Sequence, residues 1–262
     1  YDSKTDNQQL FGCFGIDIPA SIEGLFESVR DAAVISKYGG GVGGNFGHLR
    51  ERGADIKGGT GGKASGPVSF METWNTMGSV VVQGGRRRAA LMGMLPDDHP
   101  DIEHFMDAKV EEGKLSYFNI SVGVSDELVA AAREKRAFAL HSRSNGEVVR
   151  TVQGADLWNK LCQNAWRRGD PGVFFIDRAN DDNLLKMSDE FRIESTNPCV
   201  TGDTWVMTDR GPRQVLSLVN VPASLLVDGK TYETTGFFPT GIKKVYELST
   251  AEGQTLKLTA DH

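Results

Sequence analysis

Three cysteines are the residues of this chain best suited to covalent chemistry, and they stand far apart, at Cys13, Cys162 and Cys199. An odd number without a CxxC pair argues against a disulfide framework and against a cysteine-bound zinc ion. A cysteine that matters here is therefore expected to act as a thiol, which can serve as a nucleophile or as an electron donor. Cys162 falls on the apolar side of a helical pattern and is predicted to be a small buried hydrophobe.

The histidines give little indication of a metal site. His99 and His104 are five residues apart, a spacing that does not place both on one helical face, and no HExxH motif occurs. Both are expected to be surface residues of a helix, and no metal site is predicted.

Glycine is unusually abundant, with 31 residues, and it is most concentrated at 39–47 and 58–66. The GxGxxG spacing at 39–44 has a helical pattern before it instead of a strand, which excludes a Rossmann fingerprint. Lys57 and Ala64 stand where a phosphate loop needs glycine and a hydroxyl residue, which excludes a Walker motif. Both clusters are predicted to be loops that either contact a nucleotide through backbone N–H groups or pack closely.

The one basic run, Arg86 to Arg88, follows two glycines and could either clamp a phosphate or form a solvated helix end; a phosphate is slightly favoured. The chain as a whole has 29 basic and 35 acidic residues, a net charge of −6. No broad basic surface is available for a nucleic-acid backbone, so DNA binding is not expected.

The elements that must position these residues can be outlined from composition and hydrophobic pattern. The 262 residues, 39% hydrophobic and 24% charged, suit one large globular domain or two smaller ones. No apolar run approaches the length of a membrane span, and residues 1–9 are polar without a leader pattern. A cytoplasmic protein without a membrane segment is expected.

Apolar residues recur at helical spacing in five segments, and shorter apolar runs between them are typical of strands. Helices are predicted over residues 21–38, 69–83, 100–109, 126–135 and 155–168, and strands over 119–124 and 172–177. Ser21 is the expected N-cap of the first helix. This alternation predicts an α/β architecture for residues 1–198.

The hydrophobic period changes after Cys199. Short β-type runs follow one another between turn residues, at 204–208, 215–219, 225–227, 232–235, 244–248 and 255–258. Residues 199–262 are therefore predicted to form a separate all-β domain.

Seven sequence blocks stand out along the chain: QLFGCF at 9–14, the glycine cluster at 39–47 with Leu49-Arg50, ASGPVSF at 64–70, QGGRRR at 83–88, HPDI at 99–102, FNISV at 118–122 and NPC at 197–199. In their order and spacing these blocks resemble the large catalytic subunit of ribonucleotide reductase. Residues 1–198 thus resemble the first half of that family's α/β barrel. The QGGRRR and NPC forms resemble the class that uses adenosylcobalamin, which implies ribonucleotide reduction by thiyl-radical chemistry with that cofactor.

The resemblance implies roles for individual residues. Cys13 resembles one member of the reducing thiol pair, Cys199 the radical cysteine, and Asn197 the asparagine that hydrogen-bonds the ribose hydroxyls. Gly12 and Gly41 match positions that contact the substrate.

Regulation and partners follow from the same resemblance. Arg50 and Lys57 match the basic positions of an allosteric site for a dNTP or ATP effector. Residues 110–117 match a mobile loop that responds to the effector, and Lys114 in this loop is also expected to bind it. The implied partners are a ribonucleotide substrate, that effector and a reductant of the thioredoxin or glutaredoxin type; a homodimer is also compatible.

The family pattern breaks directly after Cys199, because Thr201 stands where the family has a catalytic glutamate. CVTGDTWV at 199–206 resembles the opening block of an intein, and TADH at 259–262 resembles its second splicing block. Residues 199–262 are therefore identified with the N-terminal part of an intein of the Hint fold. Cys199 would attack the Pro198 carbonyl while Thr259 and His262 activate that peptide bond. A self-processing Hint module and an inactive nucleotide-binding fragment remain the alternatives.

Overall fold

The computed structural model describes residues 13–38, 40–56, 61–81, 89–111, 113–181, 183, 192–196, 205–227, 230–234, 237, 245–249 and 255–259. The chain divides into two compact units, Tyr1–Asn197 and Pro198–His262.

The first unit alternates strands and helices along the chain. Its elements are β1 (Cys13–Ile16), α1 (Ile22–Lys37), β2 (Gly41–Asn45), α2 (Pro67–Val80), β3 (Leu91–Pro96), α3 (Ile102–Met106), β4 (Phe118–Val124), α4 (Asp126–Glu134), β5 (Ala137–His141), β6 (Val148–Gln153), α5 (Gly154–Arg168), β7 (Gly172–Phe175) and α6 (Ile176–Asp181).

Five of these strands form one parallel sheet in the order β1-β2-β3-β4-β7. Each strand joins the sheet beside its predecessor and the order never reverses. Right-handed crossovers then place the connecting helices on a single face, as in an α/β barrel and unlike a doubly wound sheet. β5 and β6 form a separate antiparallel hairpin between α4 and α5.

The helices begin and end at the residues that the capping signals indicate. The Ser21 hydroxyl accepts a hydrogen bond from the Gly24 N–H at 3.1 Å, and Ser125 caps α4 in the same way. α5 ends at Gly169, which has a φ of 75°, a backbone conformation that favours glycine. The helices predicted over 21–38, 126–135 and 155–168 are confirmed.

The main hydrophobic core lies between the sheet and its helices. Phe46, Trp74 and Phe118 are fully buried at its centre, and the rings of Phe46 and Trp74 meet edge-on with centroids 5.5 Å apart. Burying each such ring stabilises the fold by about 2 kcal/mol.

The first glycine cluster is a strand and not the loop that was predicted. β2 lies inside the sheet between β1 and β3, so its backbone groups are bonded on both sides. A Cβ on Gly44 would lie 2.4 Å from Cδ1 of the buried Ile18, and that close approach requires glycine. Of the two roles left open for this cluster, close packing accounts for Gly44.

The second unit contains antiparallel β-structure. β8 (Trp205–Thr208), β9 (Gly211–Gln214), β10 (Ala223–Val227) and β11 (Lys230–Thr234) form a sheet in the order β11-β10-β8-β9, and β12 (Val245–Ser249) pairs with β13 (Thr255–Thr259). The strand predicted over 215–219 is wrong, because Val215–Leu218 is a 3₁₀ turn that buries Val215 and Leu218, three residues apart.

Within the described ranges of both units, none of the helices has the length and apolar character that crossing a membrane would require.

Candidate active site

The parallel sheet has two different faces, because successive side chains point to opposite sides. Ile16, Val42, Leu91 and Ile120 point toward the helices and belong to or pack against the main core. We call the opposite side the inner face. The residues that alternate onto it are Cys13, Gly15, Gly41, Gly43, Asn45, Met92, Met94, Pro96, Asn119, Ser121, Gly123, Gly172 and Phe174.

Cys13 and Gly41 lie side by side at one edge of the inner face. They are direct register partners at the first positions of β1 and β2, and the Cys13 side chain is exposed. Gly15 and Gly43, two residues further along each strand, are also register partners. Three of these four positions, Gly15, Gly41 and Gly43, lack a side chain. The Cys13 thiol therefore lies beside exposed backbone that a ligand can approach closely.

A second segment, residues 192–196, crosses the inner face. Ile193 packs against the buried cluster of Met92, Met94 and Phe174. The next residue, Glu194, places its carboxylate 2.8 Å from Nε2 of His48. Ser195 follows, and its Oγ lies 3.6 Å from the position that a Cβ on Gly15 would occupy. Residues just before Asn197 are thus held within two strand positions of Cys13.

The segment that carries Arg50 is fixed on both sides by buried polar groups. Nε2 of His99 donates to the Leu49 carbonyl at 3.0 Å, while Nδ1 of the same ring accepts from the Asp101 N–H at 3.0 Å. These two bonds define a neutral imidazole with its proton on Nε2, and burial lowers the pKa of His99 accordingly. His99 is 0% exposed, so its expected surface position is wrong. His104 is exposed, as expected.

Glu51, next to Arg50, is a buried carboxylate that binds the β5–β6 hairpin. It accepts hydrogen bonds from the Ser142 hydroxyl at 2.6 Å and the Arg143 N–H at 3.0 Å. Burial alone would raise the pKa of Glu51, but these hydrogen bonds outweigh it and hold that pKa below its usual value. The ionised carboxylate therefore connects the Arg50 segment firmly to the hairpin.

A cavity of about 420 Å³ opens at the carboxyl edge of the sheet, and acidic residues dominate its polar lining. Asp97, directly after β3, is 2% exposed and accepts from the N–H and the hydroxyl of Ser125 at 2.6 and 2.8 Å. Burial raises the pKa of Asp97 to about 7, although the Ser125 hydrogen bonds oppose the shift, and the neighbouring carboxylates of Asp98 and Asp177 add to it. Asp98 is ion-paired with Arg143.

The two described residues predicted to bind an effector, Arg50 and Lys114, lie at opposite ends of the strands of the parallel sheet. Arg50 follows the carboxyl end of β2, whereas Lys114 precedes the amino end of β4. In the described part of the chain, the Arg50 guanidinium forms no ion pair, while Lys114 pairs with Glu111 at 2.6 Å. Leu115, inside the loop predicted to be mobile, is fully buried with a φ of 46°.

Several predicted site residues lie outside the described residues, namely Gly12, Lys57, the arginines at 86–88, Asn197, Cys199 and His262. Thr259 is described only by its backbone, as the last residue of β13 and the register partner of Val245. Cys162 is exposed on α5, which corrects its predicted burial, because it lies about 100° around the helix from the buried Leu161.

The sequence pattern did not indicate the structural importance of Glu51 or Asp97. Asp97 could have been found, since an acidic residue directly after a buried apolar run marks the carboxyl end of a strand, where ligands often bind. Glu51 carries no such signal, because its partners Ser142 and Arg143 are about ninety residues away in the sequence.

Comparison with known proteins gives a consistent picture for the first unit. A family model described as the ribonucleotide reductase barrel domain matches residues 11–201. Vitamin B12-dependent ribonucleoside-diphosphate reductases of Thermoplasma acidophilum and Mycobacterium tuberculosis are each 41% identical, over 73% and 76% of this chain. The matched regions cover only 25% and 28% of those two proteins.

A solved structure, the Actinobacillus ureae class Id ribonucleotide reductase alpha subunit, is similar in fold. Its TM-score is 0.60 at 24% identity, and the similarity covers 78% of this chain and 34% of that one. The chain therefore spans about a quarter to a third of the length of the proteins it matches.

Proposed function

Because this chain belongs to the ribonucleotide reductase barrel family, as the match over residues 11–201 establishes, we propose that the protein containing it reduces ribonucleotides to deoxyribonucleotides. The observation that carries the proposal is the exposed Cys13 thiol beside Gly41 on the inner face. The names of the B12-dependent relatives support adenosylcobalamin as the cofactor.

Cys13 would supply reducing equivalents. Loss of the ribose 2′-OH as water and its replacement by hydrogen requires two electrons and two protons. Two thiols provide them when they become a disulfide, and a reductant of the thioredoxin or glutaredoxin type then regenerates the pair. Cys13 is proposed as one of these thiols.

Substrate binding is proposed for the bare backbone around Cys13. Gly12 and Gly41 would let the ribose approach closely, and Asn197 would hydrogen-bond its hydroxyls. Cys199 would be the radical cysteine only if no intein begins there; if residues 199–262 belong to an intein, the radical cysteine is the first residue after the intein. The support for this arrangement is that Ser195, two residues before Asn197, packs beside Gly15, two residues after Cys13.

The residues around Cys13 fit the proposed cofactor. Gly15, Gly41 and Gly43 leave the inner face without side chains next to the thiol, which is the space that a large cofactor and a nucleotide need together. When bound, adenosylcobalamin would supply the radical. This chain's residues would orient the ribose beside Cys13 and exclude water.

A dNTP or ATP effector is proposed to bind through Arg50 and Lys57. The anchoring of Leu49 by His99 and of Glu51 by Ser142 supports this role, because it presents Arg50 on a rigid backbone. Lys114 lies at the other end of the strands, so its proposed contact to an effector requires a separate test.

The test uses the full-length protein with a ribonucleoside diphosphate, adenosylcobalamin and a dithiol reductant, and measures deoxyribonucleotide by chromatography. Cys13→Ser is expected to lose turnover by at least about 100-fold, because the thiol pair is broken. Cys162→Ser is the matched control, since Cys162 is an exposed cysteine on α5. Equal activity in the two variants would refute the role of Cys13.

A second function, protein splicing by residues 199–262, is proposed for the C-terminal unit. The change from a parallel sheet to antiparallel strands near residue 198 supports a separate module. The Cys199 thiol would attack the Pro198 carbonyl, break the peptide C–N bond, transfer its proton to the released amine and leave a thioester. Thr259 and His262 would polarise the bond.

Splicing is tested by incubating the chain with excess thiol or hydroxylamine and measuring the masses of the products by mass spectrometry. We expect cleavage between residues 198 and 199 in the wild type and none in Cys199→Ala. Cleavage of both proteins at the same rate would refute the proposal.

Association into a homodimer is proposed through α1. On this helix Ile22, Phe26 and Val34 are 57, 54 and 50% exposed. A second copy of the protein would cover this exposed apolar surface. Sedimentation of the wild type against Phe26→Glu is expected to show dissociation by the variant, and a monomeric wild type would refute the proposal.

A further inference from the structure

One asparagine holds both backbone groups of a distant residue. The Asn180 Nδ2 donates to the Ile193 carbonyl at 2.9 Å, and its Oδ1 accepts from the Ile193 N–H at 2.8 Å. The same Nδ2 also donates to the Ile176 carbonyl at 2.9 Å, within α6. Thirteen residues separate Asn180 from Ile193, so this is a tertiary contact.

This geometry is the one that a neighbouring β-strand would provide. A carboxamide is the side chain that offers a donor and an acceptor side by side, and it can therefore satisfy the N–H and the C=O of one residue at once. Leucine has the same shape without either group, while aspartate keeps the acceptor and loses both donor bonds. The third bond, to Ile176, fixes the amide plane relative to α6.

The two hydrogen bonds between Asn180 and Ile193, which we call the clamp, act on the segment that leads to the proposed site. The Ile193 side chain packs on the inner-face cluster, Glu194 reaches His48, and Ser195 lies beside Gly15. Ile193 is therefore the fixed point of the segment 192–196, which leads directly to Asn197 in the sequence.

We propose that Asn180 is a positioning residue of the reductase site: it fixes Ile193 on the inner face and so holds Ser195 beside Gly15, next to the proposed ribose-binding position at Cys13 and Gly41. The proposal rests on the reductase function proposed above. Asn180 is not proposed to touch the substrate, and its effect passes through the backbone of residues 193–196.

The first experiment measures amide hydrogen exchange at Ile193 in this chain. Each neutral hydrogen bond corresponds to about a fivefold change in an opening equilibrium. Asn180→Leu, which removes both bonds to Ile193, is expected to accelerate its exchange about 30-fold. Asn180→Asp serves as the second variant: it keeps an acceptor for the N–H but sets a carboxylate oxygen against the Ile193 and Ile176 carbonyls, so it should also accelerate exchange at Ile193. Asn159→Leu, at an exposed position of α5, controls for the substitution.

The second experiment uses the full-length protein and separates positioning from folding. Asn180→Leu is expected to lower kcat at least about tenfold while effector affinity stays within twofold of the wild type. Unchanged Ile193 exchange in Asn180→Leu, or unchanged kcat, would overturn the proposal. A wild type that makes no deoxyribonucleotide would overturn the reductase function and with it the positioning role, whereas the exchange comparison would still report on the clamp itself.

Discussion

Replacing Asp97 by asparagine is expected to change how the stability of the protein depends on pH. The pKa of Asp97 is raised from 3.8 to about 7 in the folded protein. Between these values the folded state keeps a proton that the unfolded state has released, so the free energy of unfolding falls as pH rises from about 4 to 7. A difference of about three pKa units corresponds to about 4 kcal/mol over that window.

Urea unfolding followed by circular dichroism at several pH values between 4.5 and 7.5 measures the effect. Asn at position 97 keeps an acceptor for Ser125 and cannot ionise, so Asp97→Asn gains stability relative to the wild type as pH rises. Asp31→Asn, at an exposed position, controls for the loss of a carboxylate. A difference between the wild type and Asp97→Asn that stays constant across the pH range would refute the reasoning.

Three further substitutions test the packing and the polar anchors. Gly47→Ala would place a Cβ 2.4 Å from Cδ of the rigid Pro96 ring, so it is expected to lower the free energy of unfolding by about 1–3 kcal/mol. In Gly15→Ala the nearest atom to the new Cβ is 3.6 Å away, so the free energy of unfolding should stay within about 0.5 kcal/mol of the wild type in the same urea assay. Glu51→Ala removes two hydrogen bonds to the β5–β6 hairpin and should cost about 1–3 kcal/mol, and an equal loss in the exposed Glu147→Ala would contradict that account. Lys109→Met leaves the part-buried Asp170 without its ion-pair partner at 2.5 Å, so the free energy of unfolding should fall by about 3 kcal/mol in thermal unfolding. Adding Asp170→Asn to this variant removes the unpaired charge and should restore part of that loss.

The helices of this protein could be predicted because their signals are local. Ser21 and Ser125 cap α1 and α4 within three residues of their partners, and Gly169 ends α5. β2 could not be predicted, since hydrophobic alternation needs side chains and four of its five residues are glycine or asparagine. Its position inside the sheet depends on β1 and β3, which its own residues do not encode.

For the candidate site, the sequence could identify residues by their type and their order along the chain, but not the contacts between them. Cys13 and Gly41 were found by resemblance, and their pairing across β1 and β2 is a structural fact that no local pattern contains. His99 was expected on a surface helix because its spacing from His104 was compared with helical periodicity. It instead precedes α3 and is buried, because the Leu49 carbonyl, fifty residues earlier, needs its donor.

The order of the parallel sheet has a consequence for synthesis on the ribosome. Each strand after β1 pairs with one already made, from β2 on β1 through β7 on β4. The same holds for residues 192–196, whose described partners Gly15, His48 and Asn180 all emerge earlier. The parallel sheet can therefore grow one strand at a time in the direction of translation.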